Sequence, residues 1–307
     1  MSTDARSTRH TAARRALALT GITAAAGAAG LGYCVLEARL PVLRRLMVPV
    51  LPTGSRTLRV LHLSDLHLHT RDTDRARWVS RLAALAPDLV VNTGDNISHP
   101  DVVPMALDAL SGLLERPGVF VFGSNDYYAP SFGNPAAYLW KHTGEKRRAD
   151  SLPWKHLQQG FLDAGWTDLN NAAAAKTVRG VELDLRGVDD PHIQRDRYDN
   201  VAGPTAVGAD LRIGIVHAPY TRVLNAMCAD NAGIIFAGHT HGGQINLPGF
   251  GPIVTNCDLA REHAKGLTRY GPERTWLHVS AGLGTSPYTP VRLACRPEAT
   301  LLTLVPV

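Results

Sequence analysis

The sequence predicts an α/β protein in which two β-sheets pack face to face with helices on their outer sides. Over residues 58–126, apolar runs of strand length alternate with segments whose apolar residues recur at helical spacing. This order is typical of parallel strands joined by helices. The later part, residues 177–307, adds strand-like runs with no clear helices between them. With 45% apolar and 19% charged residues, a chain of 307 residues can bury a substantial core.

The first half of the body follows the order strand, helix, strand, helix, strand. Each predicted strand is an apolar run that ends in polar residues, and apolar residues at helical spacing predict the helices between them. Asp101 is a candidate N-cap of the second helix. The predicted strands are 58–65, 88–95 and 118–126, and the predicted helices are 74–86 and 101–115.

Residues 131–176 interrupt this alternation with a basic cluster at 141–148 and a predicted helix near 154–164. Two interpretations stay open for part of this segment, an insertion over the functional site and a solvated surface loop. Further strands are predicted at 177–190, 211–219, 231–243, 276–284 and 299–307.

The net charge of +5 comes entirely from residues 1–54. This segment has seven arginines and two acidic residues, whereas residues 55–307 have 25 basic and 25 acidic residues. A charge-balanced body with only 6% aromatic residues argues against a nucleic-acid-binding groove. The four cysteines show no CxxC spacing, which argues against both a disulfide framework and a zinc knuckle.

Residues 16–36 form an uncharged run of 21 residues, long enough as a helix to cross a hydrocarbon core of roughly 30 Å. A single-pass anchor in the cell membrane is the favoured interpretation. An export signal of the twin-arginine type is the alternative, because ARRALAL precedes an Ala/Gly-rich core. A buried helix of the soluble domain is the least favoured, since the run has no polar face.

The chain is therefore divided into an N-terminal segment, residues 1–54, and a body, residues 55–307. The N-terminal segment combines the basic start, the predicted helix at about 16–36 and a short linker around Pro49, Pro52 and Gly54. Linkers rich in Pro and Gly are typical of domain boundaries.

Four predicted strand ends carry side chains that bind metal ions. In extended backbone, residues i and i+2 point the same way, so each D-x-H or H-x-H pair is expected to bind a metal from one side. Mixed carboxylate and imidazole ligands favour Mn²⁺, Fe or Zn²⁺ over Ca²⁺. A carboxylate is best suited to bridge two ions, and Asp95 in the Gly94-Asp95 turn is the candidate. The predicted ligands here are Asp65, His67, Asp95, His217, His239 and His241.

In this order, the motifs resemble those of the calcineurin-like metallophosphoesterase superfamily. Its pattern is D-x-H, G-D, G-N-H-[DE], a His and G-H-x-H. The stretches SDLHL, NTGD and GHTHGGQINLP are similar to a membrane-anchored bacterial branch of that superfamily. The resemblance covers residues 57–307 and implies a four-layer α/β/β/α sandwich with a dinuclear site between the sheets.

The resemblance also implies a function, which is hydrolysis of phosphoester bonds by a metal-activated hydroxide with two divalent ions, Mn²⁺, Fe or Zn²⁺. Phosphodiester or pyrophosphate substrates are expected in preference to monoesters. The expected partners are small phosphate esters or, because of the predicted placement at a membrane, phospholipids and cell-envelope phosphates. One ion is expected to be held by Asp65, His67, Asp95 and His241, and the other by Asp95, His217 and His239.

The third block departs from the family pattern, because GSND replaces G-N-H-D at residues 123–126. Ser124 occupies the position of the metal-binding Asn, and Asn125 occupies that of the catalytic His, which donates a proton to the leaving group. An Asn can donate a hydrogen bond to phosphate but cannot transfer a proton. A one-residue slip would instead place Asn125 on the metal. The alternative function is a phospho-ligand-binding or scaffold protein with little or no turnover.

Overall fold

In a computed structural model of the chain, residues 4–130 and 150–307 are described, and residues 4–19 and 22 only by their backbone. The basic cluster predicted at 141–148 lies outside the described residues. The helices are α1 (Asp4–Glu37), α2 (Thr73–Ser80), α3 (Val103–Leu114), α4 (Ser124–Tyr127), α5 (Trp154–Asp163) and α6 (Thr221–Ala229). The strands are β1 (Val42–Leu51), β2 (Leu58–Leu63), β3 (Leu89–Asn92), β4 (Gly118–Phe120), β5 (Thr167–Asp168), β6 (Ala172–Val178), β7 (Val181–Gly187), β8 (Leu211–Ile215), β9 (Ile234–Ala237), β10 (Asn246–Leu247), β11 (Gly251–Pro252), β12 (Gly266–Tyr270), β13 (Thr275–Val279) and β14 (Glu298–Pro306).

Two mixed six-stranded sheets form the centre of the fold. The first sheet has the order β1-β14-β2-β3-β4-β5, and the second has the order β12-β13-β9-β8-β7-β6. In the first sheet, β2 to β5 run parallel, and in the second sheet β7, β8, β9 and β13 run parallel. The carboxyl ends of parallel strands therefore gather at one edge of each sheet, where polar side chains can meet.

Three apolar clusters set the layer order of helix, sheet, sheet and helix. One cluster joins α2, α3 and α5 to the first sheet, a second fills the space between the sheets, and a third joins α6 to the second sheet. Strand β2 carries apolar residues on both of its faces. Leu58 and Val60 pack in the cluster between the sheets, whereas Leu61 and Leu63 face the helices, so both faces are buried.

The helices follow the spacing that the sequence predicts, with shorter bounds. In α3, the residues Val103, Ala106, Leu110 and Leu113 recur on one face and are buried against the first sheet. The predicted helix over 74–86 divides into α2 and a 3-10 turn, Arg81–Leu85. The sequence analysis did not predict α6, because the run Thr221–Ala229 lies between two buried strands and is short.

Strand β1 is the main difference from the predicted organisation. Residues 49–54 were expected to belong to a linker, but Val42–Leu51 pairs in parallel with β14 along the edge of the first sheet. Val48 and Leu51 are fully buried. The division of the chain at residue 54 stays a prediction, although this strand packs with the body of the protein.

Helix α1 includes the predicted run at 16–36, and its last turn is attached to the body. The Glu37 carboxylate accepts hydrogen bonds from the N–H groups of Cys295 at 2.7 Å and Ala294 at 3.1 Å, and the Cys34 carbonyl accepts one from the Arg292 N–H at 3.0 Å. By length and hydropathy, no helix in the described part of the chain meets the requirement for a membrane span.

A pair of truncations tests the position of β1. A chain of residues 55–307 lacks this strand, whereas a chain of residues 33–307 retains it together with the Cys34 and Glu37 contacts. Losing the burial of Val48 and Leu51 alone should cost about 3–6 kcal/mol in unfolding free energy. We expect urea denaturation to show this loss for 55–307 and wild-type stability for 33–307. Equal stability of the two chains would contradict the assignment of β1 to the sheet.

Candidate metal centre

The predicted ligands all lie just past the carboxyl ends of parallel strands. Because these strand ends belong to two facing sheets, their side chains converge in the space between the sheets. All six predicted ligands are buried. Asp65 and His67 follow β2, Asp95 follows β3, His217 follows β8, and His239 and His241 follow β9.

Five of these side chains form two overlapping groups whose ligand atoms converge. In each group the atoms lie within 4.8 Å of one another, and the groups are Asp65-His67-His241 and Asp65-Asp95-His217. Asp95 Oδ2 lies 3.4 Å from His67 Nε2 and 3.5 Å from His217 Nε2. This central carboxylate reaches members of both groups, which is the placement expected of a shared ligand.

His239 lies beside these groups in a different arrangement. Its backbone N–H donates to Asp65 at 3.1 Å, and its ring centroid lies 5.2 Å from that of His217. Its Nε2 lies 3.1 Å from the carbonyl oxygen of Asn256. Among the described residues, the two converging groups therefore form without the His239 ring.

The expectation that the D-x-H and H-x-H pairs project from extended backbone is wrong. Asp65 and His67 have φ of 51° and 41°, and His239 and His241 have φ of 67° and 50°. Asp95 has φ of 56°. Residues other than glycine in this left-handed region cost roughly 1–3 kcal/mol each, and such strain concentrates at functional sites. The side chains meet because the loops turn them inward, not because a strand alternates.

Close backbone packing brings the second and third blocks together. A Cβ on Gly94, which has φ of 91°, would lie 2.4 Å from the Gly123 nitrogen. A Cβ on Gly123 would lie 2.3 Å from Asp95 Oδ1 and 2.5 Å from the His217 ring. Only glycine fits at both positions, so the loop after β4 can approach Asp95 directly.

Asp126 is a functional residue that the sequence analysis did not assign. Its buried carboxylate accepts hydrogen bonds from the N–H groups of Asp95 at 2.7 Å, Asn96 at 2.7 Å and Gly123 at 3.0 Å. Burial, followed by the charge of Asp95, raises the pKa of Asp126 to about 7. Its position three residues after Gly123 is the signal that could have identified it, because an acidic side chain at this spacing can accept the N–H of the residue that begins the turn.

Of the two residues in question at the third block, Asn125 contacts the cluster. Its backbone N–H donates to Asp95 Oδ1 and its Nδ2 donates to Asp95 Oδ2, both at 2.7 Å. Ser124 begins α4, and its carbonyl accepts the Tyr128 N–H at 2.9 Å. At the third block, an amide is thus bound to the central carboxylate.

A chain of hydrogen bonds leads from the core between the sheets to Asp65. The Ser64 hydroxyl donates to Asp65 Oδ2 at 2.5 Å, and the Thr93 hydroxyl donates to Ser64 at 2.6 Å. His62 Nε2 lies 2.9 Å from Thr93 Oγ1, and His62 Nδ1 lies 2.8 Å from Nδ1 of His278 in the opposite sheet. These contacts fix the orientation of the Asp65 carboxylate from behind.

On the other side of the site, the fully buried Arg292 supports the loop next to His241. Its guanidinium donates to the carbonyl oxygens of Ala281 and Gly284, both at 2.7 Å, and lies 3.4 Å from His241 Nδ1. Its backbone N–H is bound by Cys34 of α1. No short motif marks Arg292, so its role follows from the tertiary structure alone.

The electrostatics of the cluster favour the ionic forms that bind metals. Burial lowers the pKa of His67 to about 4, and also holds the pKa values of His239 and His241 well below 6.5. Burial would raise the pKa of Asp95, but His217 outweighs it and holds that pKa well below its ordinary value. Metal ligation requires neutral imidazoles and an ionised carboxylate, and these four groups supply both. The exception is His217, because burial would lower its pKa but Asp95 outweighs burial and holds that pKa well above its ordinary value, so a bound ion would have to replace the His217 proton.

His217 shows that these residues fit a divalent ion. Its Nδ1 lies 2.7 Å from the Thr93 carbonyl, which orients the ring, and its buried Nε2 has no hydrogen-bond partner among the described residues. A buried ring nitrogen directed at a carboxylate and supported in this way is typical of a metal-binding His. The donor set of carboxylates and imidazoles fits Mn²⁺, Fe or Zn²⁺.

Substitution of Asp126 tests the support of this cluster. In Asp126→Asn, an NH2 group replaces one of the two accepting oxygens. This NH2 group cannot accept hydrogen bonds from the N–H groups of Asp95 and its neighbours. We expect metal affinity to fall about 10–100-fold, as is usual for groups that orient ligands. Titration calorimetry with Mn²⁺ measures the change.

The control for this experiment is Asp101→Asn, which removes the same charge from a carboxylate whose side chain is 79% exposed. It should bind Mn²⁺ as the wild type does. If Asp126→Asn folds normally by circular dichroism and also binds Mn²⁺ with wild-type affinity, the supporting role of Asp126 is wrong.

Known proteins are similar to this chain in sequence. YkuE of Bacillus subtilis (strain 168), an uncharacterized metallophosphoesterase, is 26% identical over 267 residues, which cover 83% of this chain and 82% of YkuE. The phosphodiesterase YaeI of Escherichia coli (strain K12) is 28% identical over 255 residues, which cover 80% of this chain and 82% of YaeI. The UDP-2,3-diacylglucosamine pyrophosphatase LpxG of Chlamydia trachomatis (serovar D) is 26% identical over 284 residues, which cover 80% of this chain and 83% of LpxG.

The calcineurin-like phosphoesterase family matches residues 58–243, which is more than half of the chain. The matched region contains all six predicted ligands and the third block. The predicted resemblance to the superfamily is confirmed, and YkuE and YaeI are among the relatives. The chain belongs to the calcineurin-like phosphoesterase family and is a metal-dependent phosphoesterase.

Proposed function

We propose that this protein hydrolyses phosphodiester or pyrophosphate bonds at a centre of two divalent ions. The observation that carries the proposal is the placement of the Asp95 carboxylate between His67 and His217, at 3.4 and 3.5 Å. The relatives support the substrate class, because YaeI is named a phosphodiesterase and LpxG a pyrophosphatase. Bound there, two ions supply an activated nucleophile and offset the negative charge of the phosphate.

In the proposed ligand arrangement, Asp95 is shared by the two positions. One position is held by the group of Asp65, His67 and His241, whose ligand atoms converge. The other is held by His217, with His239 turning toward it from its contact with Asn256. Asp65 lies close to both positions, since it also groups with Asp95 and His217.

Asn125 is proposed to lie at the metal centre as a neutral group, which leaves the third block without a proton donor. Its two hydrogen bonds to Asp95 support the slipped alignment, in which Asn125 and not Ser124 takes the place of the neutral ligand. Because an amide cannot protonate a leaving group, the reaction is expected to favour leaving groups of low pKa. Pyrophosphates and aryl phosphodiesters have such leaving groups, whereas alkyl monoesters do not.

Membrane attachment through α1 is part of the proposal. The uncharged run at 16–36 and the arginines on both sides of it support attachment, and they favour a phospholipid or cell-envelope phosphate as substrate. Fractionation of full-length protein against residues 33–307 tests this location. Recovery of both forms in the soluble fraction would contradict it.

An activity screen tests the proposed reaction. With Mn²⁺, Fe²⁺ or Zn²⁺ supplied in turn, the full chain should hydrolyse a bis-nitrophenyl phosphodiester or pyrophosphate faster than an alkyl phosphate monoester. His241→Ala removes a proposed ligand and should lower the rate at least about 100-fold. Metal binding without hydrolysis above the His241→Ala control would instead favour the phospho-ligand-binding alternative.

A comparison of Asn125→Ala with Ser124→Ala tests the alignment of the third block. If Asn125 is the residue at the metal, its loss should raise the Mn²⁺ concentration for half-maximal activity about tenfold or more, whereas Ser124→Ala should leave it unchanged. Metal-dependent rates with a nitrophenyl diester measure both variants. The reverse ranking would restore Ser124 as the neutral ligand.

A further inference from the structure

A basic groove lies beside the metal centre, between α2 and the chain segment that follows α1. It has a volume of about 440 Å³, which is within the range of small-molecule sites. Ala38 and Pro41 form one wall, and Leu283 is buried at its base. Its charged and aromatic lining consists of Arg39, Arg71, Arg75, Arg77, Arg81 and Trp78.

The charge of this groove is not compensated by the protein. Five arginines line it against two aspartates, and Asp72 and Asp74 are paired with Arg75 and Arg77, both at 3.0 Å. Within the described residues, the other three arginines, Arg39, Arg71 and Arg81, have no carboxylate at ion-pair distance. This concentration of guanidinium groups favours binding of an anionic partner.

The groove is separate from the metal centre, although the two share one loop. Arg75 Nη1 donates to the carbonyl oxygens of Leu66 at 3.0 Å and His67 at 3.1 Å, so it contacts the back of the loop whose side chains face the metals. The Leu283 N–H binds the Ser64 carbonyl at 3.1 Å on the same side. A ligand in the groove would therefore lie behind the Asp65-His67 loop, outside the reaction site.

We propose that this groove binds a phosphate-bearing anion, a site that goes beyond the proposed phosphoesterase activity. Planar guanidinium groups match the oxygens of phosphate in paired hydrogen bonds, and an excess of three positive charges suits a dianion better than a single carboxylate. The half-buried Trp78 indole offers an apolar surface for an organic group attached to the phosphate. The phosphate can come from a soluble compound or from a lipid headgroup, because the groove opens beside the end of α1.

The test compares two double variants of the full chain that remove equal charge. Arg71→Ala/Arg81→Ala removes two unpaired arginines of the groove, and Arg56→Ala/Arg116→Ala removes two exposed arginines elsewhere. In calorimetric titration with inorganic phosphate, the affinity of the groove variant should be at least about tenfold lower than that of the wild type. The affinity of the control variant should equal that of the wild type. Both variants keep the residues of the metal centre, so phosphate binding there contributes equally, and equal hydrolysis of a nitrophenyl diester shows that both are folded.

Sedimentation with vesicles distinguishes the source of the phosphate. Attachment through α1 contributes equally in both variants, so the readout is the preference for phosphatidylglycerol vesicles over phosphatidylcholine vesicles. If the groove variant loses this preference and the control variant keeps it, the ligand is a lipid headgroup. If the groove variant binds inorganic phosphate more weakly but sediments with vesicles as the control variant does, the ligand is a soluble phosphate compound. Identical behaviour of the two double variants in both measurements would overturn the proposal, even if the phosphoesterase activity is present.

Discussion

The buried carboxylate of Asp95 is the constraint on which the arrangement of the site depends. An ionised carboxylate with 2% exposure is stable only where cations or hydrogen-bond donors surround it. Here the donors come from both sheets, with His67 and Asn125 on one side and His217 on the other. The two sheets must therefore pack with their strand ends in register, and the apolar cluster between them maintains this packing.

Holding these groups together requires a strained backbone, and the surrounding residues stabilise it. The left-handed conformations of Asp65, His67 and Asp95 would relax in a free loop. Asp126 binds the N–H groups of the Asp95 turn, and Gly94 permits the close approach of the loop after β4. Such supporting residues determine the geometry of a site as much as the residues that face the ligand.

The N-terminal part of the chain is connected to the site through backbone contacts. Glu37 binds the N–H groups of Ala294 and Cys295, and the Cys295 thiol lies 3.3 Å from the His241 carbonyl. Strand β1 adds the edge of the first sheet next to β14. The sequence suggests only an anchor and a linker for this segment, yet the segment contributes to the structure around the metal centre. The basic groove lies where the segment meets α2.

The sequence by itself determined the two-sheet α/β class, most of the helices and strands, and the candidate ligands, because apolar periodicity and polar strand ends are local patterns. It could not identify β1, because the pairing of that strand depends on β14, more than 200 residues away. Nor could it show that Asn125 contacts Asp95, or find Arg292, because their partners lie in distant loops. Only the tertiary structure decides which side chains share a buried space, since long-range packing and the turned backbone of each loop set their positions.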